Sequence, residues 1–89
     1  MAISQLRILN LAILTLESDL EKAGEEIRTL DKAVAFFSDE NSDFQNLDSA
    51  THIEEYSIPK AEARYREIEN ELIDARYQLS LEIDKIYEI

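Results

Sequence analysis

The residues most able to do chemistry in this chain are its carboxylates. Twenty Asp and Glu stand against nine Lys and Arg, for a net charge of −11. Glu71 and Asp74 have the i, i+3 spacing that puts two carboxylates on one helical face, and Glu40 and Asp43 repeat the spacing in a loop-like stretch. Metal sites in helical bundles project Glu inward from facing helices, usually with Glu-x-x-His pairs. No Glu-x-x-His occurs here, and the single His, His52, falls in a polar stretch. Asp39, Asn41 and Asp43 alternate like the first ligands of a calcium loop, but the places of that loop's Gly and bidentate Glu hold Phe44 and Ala50. The chain has no Cys, no Gly-rich phosphate loop and no Ser/His/Asp set. The expectation is a non-catalytic protein with no cofactor and no metal site.

What must position these carboxylates is helix. With Leu6 as heptad position a, the a positions are Leu6, Ile13, Leu20, Ile27 and Val34. The d positions are then Leu9, Leu16, Ala23, Leu30 and Phe37. All are apolar, a period-3.5 seam that predicts one helix over about residues 3–37. The only Gly, Gly24, lies inside it without disturbing the register, at a cost of about 1 kcal/mol. Ala23 and Gly24 make a thin place in that helix, open to close approach or to a bend. Glu17, Glu21, Glu25, Glu67, Glu71 and Asp74 all fall off the seams, as a solvated face does, with Glu62 and Arg66 spaced for an i, i+4 ion pair.

A stretch dense in Ser, Asp and Asn follows, predicting an acidic connection over about residues 38–58. Thr51 and Glu54 have capping-box spacing, so a short helical turn is expected at about 50–56. Phe44, Leu47, Ile53, Tyr56 and Ile58 are its means of packing back on the helices. Pro59 then suits a first helical turn, predicting a second helix over about 59–87. Its seam has Tyr65, Leu72, Leu79 and Ile86 at a, and Ala61, Ile68, Ala75 and Glu82 at d, with Ile83 beside Glu82. Tyr77, Leu79, Leu81 and Ile83 also alternate with polar residues as a strand does, but no breaker separates them from the helical run. The fold expected is a single all-α domain, an antiparallel, coiled-coil-like hairpin of two long helices with an acidic connection of roughly 20 residues.

Both helices carry apolar residues beyond their seams. Ile8, Leu11 and Leu14 lie opposite the first seam, and Ile73, Tyr77 and Leu81 opposite the second. In an antiparallel hairpin both stripes fall at the terminal end, while the connection-proximal half shows no such surplus. Two helices cannot bury two faces each, so these residues predict an interface. The simplest cover is a second copy, giving a C2 four-helix bundle.

Charge bounds the other partners. Between residues 33 and 59 there are six acids, Asp39, Glu40, Asp43, Asp48, Glu54 and Glu55, and no Lys or Arg. Such a chain is repelled by nucleic acid and by anionic membrane, and fits a basic protein surface. Residues 6–16 are broken by Arg7, Asn10 and Thr15, too short and polar for a membrane span, and lack a signal-peptide pattern. The expected location is cytoplasmic, mature from Met1.

Three functions follow from this reading. The first is a small protein–protein interaction module, an oligomeric adaptor, chaperone or assembly factor acting through apolar helix faces. The second is an acidic inhibitor that mimics nucleic-acid charge on a nucleic-acid-binding protein, as phage anti-defence proteins do. The third is a secreted helical hairpin. The overall plan resembles the hairpin substrates of type VII secretion, whose Trp-x-Gly turn is missing here: there is no Trp, and Gly24 sits inside the first helix.

Overall fold

A computed structural model describes residues 2–87, and among these every regular element is helical. α1 runs from Ala2 to Ser38, α2 from Leu47 to His52 and α3 from Ile58 to Tyr87, with a π-helical turn, Ile53–Ser57, joining α2 to α3. The alternation at residues 77–83 is therefore helical throughout. No described helix is long and apolar enough to cross a membrane.

The helical run that follows the connection starts earlier than expected. Asn46, in extended backbone, caps α2 by accepting from the Ser49 N–H at 3.0 Å. Asp48 in the first turn suits the positive end of the helix dipole. Thr51 and Glu54 consequently lie inside the run and do not start it. Residues 47–58, expected as connection with a short helical turn at about 50–56, are helical throughout, and the connection shrinks to residues 39–46.

The π turn explains why the sequence hides this. Counting back from Ala61 in strict heptads puts Glu54 on the seam, which argues against helix. One extra residue in the turn shifts the register, so that Ala50 is buried and Ile53 and Ser57 are half-buried while Glu54 stays exposed. The Ile58 N–H donates to the Ile53 carbonyl, five residues back. Pro59, which lacks an N–H and would clash with the carbonyl four residues back in an α-helix, directly follows this wider turn. Pro59 thus marks a change of helical register within a longer helix.

The chain divides into two compact units. One holds the residues of α1 up to Glu21 with those of α3 from Glu67 onward. Among its described residues the buried side chains are Ile13 and Leu72. An ion pair links its two antiparallel segments, Arg76 Nη2 to Glu17 Oε1 at 3.3 Å. A second pair, Lys85 Nζ to Glu82 Oε1 at 3.1 Å, lies along α3.

The other unit is Lys22–Arg66, a helix–loop–helix. Its buried side chains are three alanines, Ala23, Ala50 and Ala61. Small residues at those positions let backbones approach closely, and Arg64 Nη2 reaches Glu26 Oε1 across the pair at 3.4 Å. All three ion pairs have solvent-exposed members and contribute at most about 1 kcal/mol each. Among the described residues Glu62 and Arg66 do not pair, and the arginines that do, Arg64 and Arg76, reach to the opposite segment of their own unit.

Gly24 belongs to this unit, and no glycine has a positive φ. A Cβ added there would stand 3.6 Å from Arg28 Nη1 and 3.6 Å from Tyr65 Cε2, ordinary van der Waals contact. Close packing therefore does not require the glycine. Gly24→Ala is expected to stabilise the protein by about 0.5–1 kcal/mol, through lower backbone entropy in the unfolded chain and better helix propensity. Thermal melting followed by circular dichroism reads this as a rise in Tm. A fall would mean that the added methyl is not accommodated.

Candidate interaction surface

Sheltering on the first helix has a simple distribution. Ile13 and Ala23 are buried, and Leu6, Leu9, Leu16, Leu20, Ile27, Leu30, Val34 and Phe37 are half-buried. These are the a and d positions, and of the other residues whose burial is described only Gly24 and Ala33 are comparably covered. On α3, Ala61 and Leu72 are buried, and Tyr65, Ile68, Ala75, Leu79 and Glu82 half-buried. Ile83 and Ile86, expected on the seam, are 38% and 41% exposed. Ile83 sits one position past the seam, at an edge that a two-helix layer leaves open. Ile86 lies in the last described turn, where few neighbours remain. Glu82 is the acid that occupies the seam, its side chain only 18% exposed, with its carboxylate accepting from Lys85 Nζ.

The apolar residues off the seams are open to solvent. In the first unit Ile8, Leu11, Leu14, Ile73, Tyr77 and Leu81 are all exposed, Leu11 at 64% and Tyr77 at 60%. Ile3 and Tyr87 of the same unit, which the spacing did not single out, are exposed as well. Two shallow hollows of roughly 350 Å³ each lie in the same unit. One is lined by Gln5, Ile8, Leu9, Gln78 and Glu82. The other is lined mainly by Ile3, Leu6, Leu79 and Ile83, with Arg7 and Asn10. The unit thus offers apolar surface on the outward stripes of its two segments and beside its seam.

The terminal segments that carry most of these residues differ in charge from the residues between them. Residues 3–14 and 77–87 carry Arg7 and Lys85 against Glu82 and Asp84, a net of zero. Residues 15–76 carry seventeen acids and seven bases, a net of −10.

The second unit has an exposed apolar patch of its own, which corrects the expectation that only the terminal residues carry a surplus. Phe44, Leu47 and Tyr56 do not pack back over the helices but are exposed, while Ile53 and Ile58 are half-buried. Phe44 stacks on Phe36, with ring centroids 5.9 Å apart and planes at 21°. Phe36 also meets Phe37 edge-on at 5.3 Å. The connection spends its polar groups on itself. Asp39 Oδ1 accepts from the Asn41 N–H at 2.9 Å, Ser42 Oγ from the Phe44 N–H at 3.1 Å, and the Asn46 N–H donates to the Phe37 carbonyl at 2.9 Å. A segment this short, closed on itself, cannot reach over the helices. Phe36 falls at heptad position c beside Phe37 at d, and only that adjacency in the sequence hinted at it. Asp39, Glu40, Asp43, Asp48, Glu54 and Glu55 are all exposed.

Compared with family models, with characterised proteins and with solved structures, the chain matches none.

Proposed function

We propose that the protein is a small cytoplasmic, non-catalytic interaction module that self-associates through the apolar face of its terminal unit, in the manner of an oligomeric adaptor, chaperone or assembly factor. In this reading the two long helical runs form one antiparallel, coiled-coil-like hairpin joined by the acidic connection, and two hairpins combine into a C2 four-helix bundle at their terminal residues. The carrying observation is that Ile8, Leu11, Leu14, Ile73 and Tyr77 are exposed on helices whose opposite sides are already sheltered. Apolar surface of that extent marks an interface.

Two further observations favour a second copy as its cover. The described residues bury only Ile13 and Leu72 among large side chains, a small core for a chain of 89 residues, and association adds to it. The terminal segments 3–14 and 77–87, which carry most of this surface, also sum to zero charge, which lowers the repulsion between two copies of net −11 that meet there.

The test is the mass in solution by light scattering, over a wide range of concentration and at low and high salt. A dimer or tetramer that holds or tightens as salt rises is expected, since salt screens repulsion between acidic copies and leaves apolar contacts intact. A monomer at every concentration overturns the reading.

A second reading has its own support. The exposed acids of residues 33–59, with no Lys or Arg among them, fit an inhibitor or adaptor that engages a basic protein surface, including one built for nucleic acid. Binding to such a surface should weaken steeply with added salt, and salt-independent binding counts against it.

A further inference from the structure

We propose that the stacked pair Phe36 and Phe44, with the carboxylates of Asp39, Glu40 and Asp43, forms a docking site for an arginine-bearing amphipathic segment of a partner protein. The inference rests on the second reading above, that the acidic surface engages a basic protein, and assigns the place and chemistry of that contact. It is independent of the apolar terminal face.

The rings are an apolar surface left open. Phe44 is 69% exposed and Phe36 51% exposed, although each is large enough to bury most of its area in a core. They are held, since the hydrogen bonds of Asp39, Ser42 and Asn46 fix the connection that carries Phe44. A preorganised surface loses little conformational entropy on binding.

The surrounding charge selects the occupant. Asp39, Glu40 and Asp43 stand on the same connection as Phe44, three carboxylates against one base, Lys32, a helical turn before Phe36. A second copy would bring more negative charge to this place, and nucleic acid is excluded for the same reason. A purely apolar helix would cover the rings but desolvate carboxylates without pairing them. Arginine meets both demands, because its planar guanidinium stacks on aromatic faces and pairs with carboxylates through two N–H groups. Asp39 uses one oxygen for the Asn41 N–H and keeps acceptor capacity for such a pair. Apolar residues on the other positions of the segment then cover the ring edges.

The experiment is fluorescence anisotropy on the full chain with a labelled amphipathic helix of Arg and Leu, and with an Arg–Ser peptide of equal charge. The Arg–Leu peptide is expected to bind with an affinity that falls as salt rises, and the Arg–Ser peptide about tenfold more weakly. Phe36→Ala with Phe44→Ala should weaken the Arg–Leu peptide by about tenfold or more, with helicity retained because both rings are exposed. Asp39→Asn, Glu40→Gln and Asp43→Asn together should weaken it and flatten its salt dependence; this variant keeps the turn acceptor and serves as the second test if the alanine pair loses helicity. Leu11→Lys with Tyr77→Lys should leave peptide binding unchanged. Equal affinity for the wild type and the alanine pair, or for the two peptides, overturns the aromatic site while leaving the acidic reading standing. No binding of either peptide at low salt overturns both.

Discussion

Replacing Leu72 with Ala is expected to destabilise the protein by about 3–4 kcal/mol, a large fraction of the stability of a chain this size. Leu72 is 2% exposed and, with Ile13, is one of only two large side chains buried among the described residues. The other buried positions are alanines, which have little side chain to lose. A helical pair this thin cannot close over a cavity, because no second layer stands behind the vacated site. Leu72→Met keeps the volume and should cost less than about 1.5 kcal/mol. Ile73→Ala, one residue away on the exposed face, should change stability at low protein concentration by no more than about 0.5 kcal/mol. Urea unfolding followed by circular dichroism checks all three. A small effect of Leu72→Ala beside a large effect of Ile73→Ala would mean that the seam has been assigned to the wrong face.

The second large effect concerns association. Leu11→Lys together with Tyr77→Lys should abolish self-association, with affinity falling by about a hundredfold or more, while helicity is retained. Both side chains are more than half exposed, so neither change opens a cavity. Lys is a good helix former, and on the apolar face it would have to bury an unpaired ammonium on association. Light scattering over a concentration series reads the result directly. Association that survives the double change would show that the apolar terminal face is not what joins the copies.

The two predictions probe opposite sides of the same helices. Leu72 on the seam governs whether the chain folds, and Tyr77 on the outer stripe governs what the folded chain meets. In an associating protein the second contributes to the first, because a dimer adds its binding free energy to stability. Apparent Tm should therefore rise with concentration for the wild type and stay constant for the Lys pair.

Much of this was legible in the residues. The heptads of α1 needed no tertiary information: apolar residues at every a and d position, with charges elsewhere, turn one face away from water, and that face is the sheltered one. Ile8, Leu11 and Leu14 were legible as surplus for the complementary reason, since positions opposite a seam have nothing in the same chain to cover them. The helical character of residues 77–83 followed from the absence of a breaker, even against a strand-like alternation. The second seam was less clear at its end, where Ile83 lies beside Glu82 and heptad arithmetic alone does not choose between them.

The connection was decided by tertiary structure. Locally, residues 38–58 read as a connection with a short helical turn at about 50–56, because Asp, Ser, Thr and Pro favour turns, and a strict heptad carried back from Ala61 conflicts with helix by landing on Glu54. Packing resolves the conflict with one extra residue in a π turn, which brings Ala50 and Ile53 inward, turns Glu54 outward and stands directly before Pro59. A shift of one residue is invisible to periodicity, since either register is locally acceptable and only burial against a neighbouring segment distinguishes them. The Phe36–Phe44 stack has the same origin. The two rings lie on opposite sides of a turn, and only the closure of that turn by Asp39, Ser42 and Asn46 brings them together. The sequence by itself determined that the chain is helical, which faces are apolar and where the charge lies. Tertiary structure decided the register after the turn and the aromatic patch beside it, because both depend on contacts between residues that share no repeat.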